Sequence, residues 1–469
     1  MCVLPENPVQ LFFPTFLHMN TDLIIIGAGA AGLMAACSAG EAGLNCLVLE
    51  RRHRPGLKLL LCGNNRCNVS HSGTPTSLIR DYGDPVGGFL APALQDFPPS
   101  ALRKWFSDYG LETVVLKDRI YPRSGKADDV LHCFTDRLRD LELPLMLNCP
   151  VQKISTLSSG EYEVLCGKVQ LQSRFVLIAT GGVSYPKTGS VGDGQRIAGE
   201  LGHLLEPFRP GLAGIEVDNS WLQLRSGRAE AGIPQVKVHL FQQGREFAST
   251  DGNLLAAGNC LRGSAIFDAT RILGRRNISD FSLVMDLFPE VESLELSRRL
   301  QGAWQKTRQP AAALNALGLD HVFAEGLANE LHSEFANADF SGLAKALKNR
   351  MLKTTAIRPL KEAIVSIGGV ALPEIAPDSM ESKKLPGLFF AGEVMDIDGP
   401  TGGYNLQAAF ATARLAVKSI VGKLHPAETA KRCKPKTDQK PLENRTNSRA
   451  ASNSKKAAWG KKFWDGYLR

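Results

Sequence analysis

The chain has 469 residues, 43% hydrophobic and 22% charged, enough for two or three domains with a large buried core and too apolar for wholesale disorder. Its 10 cysteines form no disulfide framework and no paired C-x-x-C knuckles, and its 9 histidines show no metal-ligand spacing, so no metal site is expected. The net charge of +8 is local: from Pro426 onward 12 Lys/Arg stand against 4 Asp/Glu, and the rest balances at 43 against 43.

Residues 1–19 read as an N-terminal extension. Val9 to Leu17 is apolar, but Pro14 interrupts it and no basic residue precedes it, so it fails as a signal peptide; Met19 is an alternative start. The apolar runs Leu23–Ile26 and Leu57–Leu61 are too short to cross a bilayer, and a cytoplasmic enzyme without a membrane partner is expected.

Asp22-Leu-Ile-Ile-Ile reads as a buried parallel strand closed by glycine. An Ala-rich helix is predicted from about Ala30 to Ala42, with Gly43 as its C-cap, and Leu47–Glu50 as the next strand. Between them lies Gly27-Ala-Gly29-Ala30-Ala31-Gly32. Gly27 allows the tight turn, Gly29 lets backbone approach a pyrophosphate, and Gly32 lets helix and strand pack closely. The helix N-terminus would offer amides to the phosphates, and Glu50, beside Arg51, is placed for an adenosine ribose. This β-α-β unit opens a doubly wound sheet and indicates a dinucleotide without saying which.

Val151 to Leu171 looks like an antiparallel meander, after which Phe175–Ala179 returns as a buried parallel strand ending in Ala179-Thr180-Gly181-Gly182. β-like segments are expected from Pro207 to about Asp268, and a helical stretch from Ser293 to Lys348. Near the other end, Leu385 to Glu393 is an apolar strand closing on Gly392-Glu393, whose carboxylate can grip ribityl hydroxyls. Gly402-Gly403-Tyr404-Asn405-Leu406-Gln407 then opens a helix to about Val421, whose N-terminal dipole suits negative charge near N1 and O2 of a reduced flavin. Two such elements so far from the first glycine motif favour FAD over NAD. With no second Gly-x-Gly-x-x-Gly, NAD(P)H is expected only as a transient reductant.

Cys62 and Cys67 form C-x4-C, the spacing of a flavin-linked dithiol, but their flanks lack the disulfide-reductase pattern; packed or loop thiols are the simpler reading. Arg66 could reach pyrophosphate or an anionic substrate, or form a surface ion pair. Tyr185 and Lys187 read as a structural turn. Cys67, Tyr404 and Asn405 are the candidate catalytic residues.

The run Lys58-Leu-Leu-Leu-Cys62-Gly63-Asn-Asn65-Arg66-Cys67-Asn68 resembles the K-L-L-x-S-G-x-G-R-C-N stretch of the BaiN/YhiN-type bacterial flavoproteins, also called aminoacetone-oxidase-like. Ala179 to Gly189 with Gly192-Asp-Gly194, and Phe390 to Gly399 with Gly402–Asn405, are similar to that family's other signatures. Cys62 and Asn65 depart from it, standing where Ser and Gly are usual, and so does Asn259 to Phe267. The resemblance implies an α/β fold: a Rossmann-like FAD-binding domain of the glutathione-reductase/fumarate-reductase kind with an inserted β-barrel-like domain and a small helical subdomain. It adds Lys58, Gly63 and Asn68 to the expected FAD contacts. On this reading the FAD domain spans 20–208 and 351–424, the β-rich insert 209–292, the helical subdomain 293–350 and a basic tail 425–469.

The resemblance further implies reduction of a conjugated C=C bond, in a bile-acid-like enone or in ribosomal RNA uridine to give dihydrouridine. Amine oxidation is the alternative, and an RNA-binding protein with structural FAD is the alternative of another class. The tail, with Trp459, Phe463, Trp464 and Tyr467 among its basic residues, has the composition of an RNA contact or of a solvated extension.

Overall fold

The computed structural model describes residues 21–218 and 231–426. The expected N-terminal extension, and the tail almost entirely, lie outside the described residues.

The first apolar run forms strand Thr21–Ile26, whose last four residues are buried. Helix Ala30–Glu41 follows, buried from Ala31 to Ala39. Small Ala, Gly, Ser and Cys side chains let it pack against two other helices, Ala127–Asp140 and Tyr404–Leu424. Gly43 ends it as expected. It takes φ +75°, and the Leu44 N–H donates to Ala39 C=O at 3.0 Å, a Schellman closure.

The first sheet runs in the order Leu145–Met146, Cys46–Leu49, Thr21–Ile26, Val169–Ile178, Tyr162–Cys166, Val151–Thr156. The last strand of the meander and the expected return strand are one continuous strand, Val169–Ile178. Its first half pairs antiparallel with Tyr162–Cys166, and its second half lies parallel between Thr21–Ile26 and Leu388–Phe390. Register places Ile26 beside both Leu49 and Ile178, and Ile178 beside Phe390. Four parallel strands, one drawn from near the far end of the described chain, therefore end level with one another.

One cysteine pairing departs from expectation: Cys149 and Cys166 are bonded, with Cα atoms 5.7 Å apart. The meander register sets Val151 opposite Cys166, which brings the two together across neighbouring strands, a proximity that their spacing of 17 does not advertise.

A second sheet has the order Arg350–Leu352, Ser282–Asp286, Ala231–Gln242, Arg245–Ala257, Cys260–Arg262, Ile215–Val217, Thr354–Ile357. Its two edge strands are separated in sequence by Lys353 alone, so the edges lie together and the sheet curls in barrel-like fashion. The β reading up to Asp268 is corrected here. Ser264–Arg275 is a helix, entered through Gly263 at φ +102° and burying Ala265, Ile266, Ala269 and Leu273 at helical spacing. The helical stretch after Ser293 shares one core with this sheet, Leu296, Phe323 and Leu347 packing in the cluster that holds Val236, Val238 and Leu254. The chain enters this region through Leu205–Gly211 and leaves through Val365–Val370, strands that pair antiparallel, so entry and exit sit side by side as in an insertion.

No helix among the described residues is long and apolar enough to cross a membrane.

Candidate cofactor and active site

The level strand ends set the site. The loops after Ile26, Leu49, Ile178 and Phe390 all emerge at the carboxyl edge of the sheet, where open α/β folds bind ligands. At this edge a cleft of about 620 Å³, its open mouth included, is lined by Gly27, Gly29, Glu50, Arg51, Lys58 and Thr180 among others. Gly27 has φ +101°, and a Cβ there would lie 2.6 Å from the Ala179 carbonyl oxygen. A Cβ on Gly32 would sit 1.8 Å from the Gly27 oxygen, whereas one on Gly29 would meet nothing within 4 Å. Gly32 therefore serves packing, and Gly29 faces the open cleft. Ala30 and Ala31 form the first turn of the helix behind it. The Glu50 carboxylate accepts N–H bonds from Ala28 and Arg52, both at 2.8 Å, and its burial raises its pKa above the usual carboxylate range. Arg51 pairs with Asp193 at 2.5 Å.

A second cluster ties four distant segments together. Lys58 Nζ lies 2.6 Å from Glu393 and 2.7 Å from the Ser184 hydroxyl. The other Glu393 oxygen accepts the Ser366 N–H at 2.8 Å and its hydroxyl at 3.0 Å. Glu393, expected to face a ribityl chain, thus has both oxygens engaged by protein. Gly392 takes φ +72°, its N–H donating to Thr412. Ala179 is buried beneath the turn; Gly181 has φ +74°, and its carbonyl accepts from Gln195. The Thr180 hydroxyl is buried with no protein partner.

The third cluster surrounds the start of helix Tyr404–Leu424. Gly402 and Gly403 have φ +112° and +98°, and a Cβ on Gly403 would strike the Ser70 backbone at 2.4 Å. Tyr404 stacks on His71 with centroids 4.7 Å apart, and its hydroxyl donates to Asp81 at 2.8 Å. Burial, then that carboxylate, raises its pKa. The Asn405 amide closes the preceding loop through both the N–H and the C=O of Gly399, while Leu406 is half-buried. Both candidate catalytic side chains on this helix thus already hold local structure.

Sequence reasoning missed the groups that the corrected helix brings here. Asp268 accepts from Thr401 through its N–H at 2.7 Å and its hydroxyl at 2.9 Å, and burial raises its carboxyl pKa. Arg271 donates to Asp398 at 2.6 Å, and Arg275 pairs with both Asp396 and Asp398. Arg119 and His71 flank Gly402 on the other side. The available signal was the spacing of Asp268, Arg271 and Arg275, three and four residues apart, which marks one helix face.

Residues 21–419 match the family described as HI0933-like protein Rossmann domain. The chain belongs to that family. It is 28% identical over 414 residues to the 3-dehydro-bile acid delta(4,6)-reductase of Clostridium scindens, covering 84% of this chain and 97% of that one. It is 26% identical to the ribosomal RNA dihydrouridine synthase of Escherichia coli, covering 85% and 98%. Among solved structures, the 3-ketosteroid-delta4-(5alpha)-dehydrogenase of Rhodococcus jostii RHA1 aligns at 14% identity over 87% of this chain and 98% of that one, with a TM-score of 0.48. The resemblance read from the motifs is borne out, and the protein is an FAD-dependent oxidoreductase. Its residues fit the cofactor: Gly29 opens onto the cleft, and the buried atoms Thr180 Oγ1 and Asn68 Oδ1 lack protein partners.

The family motif at Lys58–Asn68 forms a helix, Leu57–Leu61, and then a tight loop. Gly63, Asn64, Asn65 and Cys67 all take positive φ, between +56° and +63°. Asn65, where the family usually has Gly, occupies the left-handed region that asparagine tolerates best after glycine. The Arg66 guanidinium lies over the Tyr121 ring, 5.4 Å from its centroid. Cys67 is fully buried, its N–H donating to the Cys62 carbonyl at 2.9 Å, and so stands behind the loop surface.

Proposed function

We propose that this protein reduces a conjugated C=C bond in an α,β-unsaturated carbonyl compound, a class that includes enones and the uracil ring of RNA. The observation that supports the reading is the common level at which strands from both parts of the chain end, since it brings turns suited to one extended nucleotide to the same edge of the sheet. The two relatives, whose names describe an enone-type reductase and a uridine reductase, match over nearly their whole length.

Bound FAD, once reduced by a donor such as NAD(P)H, supplies hydride at N5. The Gly27–Gly32 turn, Glu50 and Arg51 hold the adenosine and pyrophosphate half, and Ala179, Thr180 and Gly181 cover it. Lys58, Glu393 and Gly392, tied to one another and to Ser366 and Thr412, would wall the middle of the cofactor, with Gly63, Arg66 and Asn68 towards the ring and Cys67 packed behind them. Gly402, Gly403 and Leu406 aim the helix N-terminus at the ring, where its amides stabilise negative charge. Tyr404 and Asn405 act as positioning residues for that helix. Arg119, beside Gly402, would hold the substrate's carbonyl oxygen, and His71, whose Nδ1 faces the Gly402 carbonyl at 3.4 Å, would line the same wall. The basic tail favours an RNA substrate over a small steroid; it lies outside the described residues apart from Pro426.

Anaerobic photoreduction followed by a substrate screen tests the proposal. An enone or a uridine-containing RNA should restore the oxidised-flavin absorbance without oxygen. Reduced flavin that stays inert to both classes, or that forms only on adding an amine, contradicts it.

A further inference from the structure

We propose that Cys62 and Cys67 form a thiol–disulfide exchange site whose partner is a small-molecule disulfide, with Cys62 the attacking thiol and Cys67 the resolving one. The Cys67 N–H donates to the Cys62 carbonyl at 2.9 Å, closing a turn with the two cysteines at its ends. The loop between them is held in the left-handed region at Gly63, Asn64, Asn65 and Cys67, so the pair is preset rather than assembled by chance encounter. Ala127 N–H anchors the same loop through Asn65 C=O at 2.9 Å.

The two thiols are unequal. Cys62 is half-buried next to Leu61, which is 46% exposed, whereas Cys67 is fully buried. Every other free cysteine among the described residues is buried: Cys37, Cys46, Cys133 and Cys260. The neighbouring Cys67 thiol, with the Asn68 N–H and the Lys58 charge, pulls the Cys62 pKa below the usual thiol range, while the Cys62 thiol and burial push Cys67 well up. The more readily ionised thiol is therefore the more accessible one.

The exchange balances in two steps. Cys62 thiolate attacks one sulfur of the small disulfide, forming a mixed disulfide and expelling one thiolate. Cys67 then loses its proton to the medium, attacks Cys62 Sγ and expels the second thiolate. Two protein thiols are oxidised, and one small disulfide becomes two thiols.

The test uses the full-length protein and oxidised glutathione as the probe, followed by alkylation, trypsin and mass spectrometry. Trypsin cuts between Arg66 and Cys67, so a Cys62–Cys67 bond appears as peptide Leu59–Arg66 joined to Cys67–Arg80. That joined pair should replace the two alkylated peptides. Cys67→Ser should stop at glutathione on Cys62, and Cys62→Ser should leave Cys67 unmodified. Native protein that ends with both thiols still free, or with stable glutathione on Cys62, overturns the proposal. So does glutathione on Cys67 in Cys62→Ser. None of these readouts depends on the substrate proposed above, so the two readings fail separately.

Discussion

At the scale of single residues, the last two glycines of the first motif have separable duties. Gly32 meets backbone and Gly29 meets open space. Gly32→Ala should cost about 1–3 kcal/mol through overpacking, seen as a lower thermal midpoint. Gly29→Ala should leave that midpoint of the apo-protein unchanged and weaken FAD binding by roughly tenfold or more, a loss of ~1.4 kcal/mol; equal effects from both would contradict the assignment. Asp268 gives a pH signature. Burial holds its folded-state pKa above the unfolded value, so the stability it contributes is fullest below the ordinary carboxylate range and declines as pH rises through the folded value. Asp268→Asn removes that decline. Measured from mildly acidic to neutral pH, the variant's stability relative to the parent should climb, and a flat difference would show that Asp268 titrates normally.

At the scale of elements, the first β-α-β unit was legible because each step demands a residue type in a fixed local order: strand, Gly27, Gly29, Gly32, and the acid Glu50 at the next strand end. The helix opened by Gly402 and Gly403 was legible for the same reason, as two consecutive positive-φ positions call for glycine. Helix Ser264–Arg275 was misread despite its charged-residue spacing, since its Gly-flanked apolar run mimics a strand, and its salt-bridge partners Asp396 and Asp398, more than a hundred residues away, were not legible. Nor was the engagement of Glu393, whose partners Lys58 and Ser366 come from two other segments. This helix is clamped through Asp398, whose side chain is fully buried between two arginines. Asp398→Ala should destabilise the protein by about 3–5 kcal/mol, because it strands two partly buried guanidinium groups. Chemical denaturation would measure it, and a change under about 1 kcal/mol, the range of surface pairs, would show the clamp to be dispensable.

At the scale of the molecule, the chain threads out of the nucleotide fold through Leu205–Gly211 and back through Val365–Val370, so the inserted sheet and helices are built on a site they do not interrupt. The corrected helix connects them to it, Asp268 holding the Thr401 loop that precedes the last helix. The basic tail supplies a further test of substrate class. Deleting residues after His425 should abolish salt-dependent RNA binding, a slope of about −0.7 per phosphate contact in the intact chain, and leave flavin reoxidation by a small enone unchanged. Equal RNA binding without the tail would remove it from the substrate question. The central claim is that distant parts of the polypeptide build one cleft for one flavin nucleotide, and direct titration of apo-protein with FAD tests it. The intact chain should take up one FAD per molecule and turn yellow, and Gly29→Ala should bind it more weakly; a protein that stays colourless after reconstitution would contradict the account.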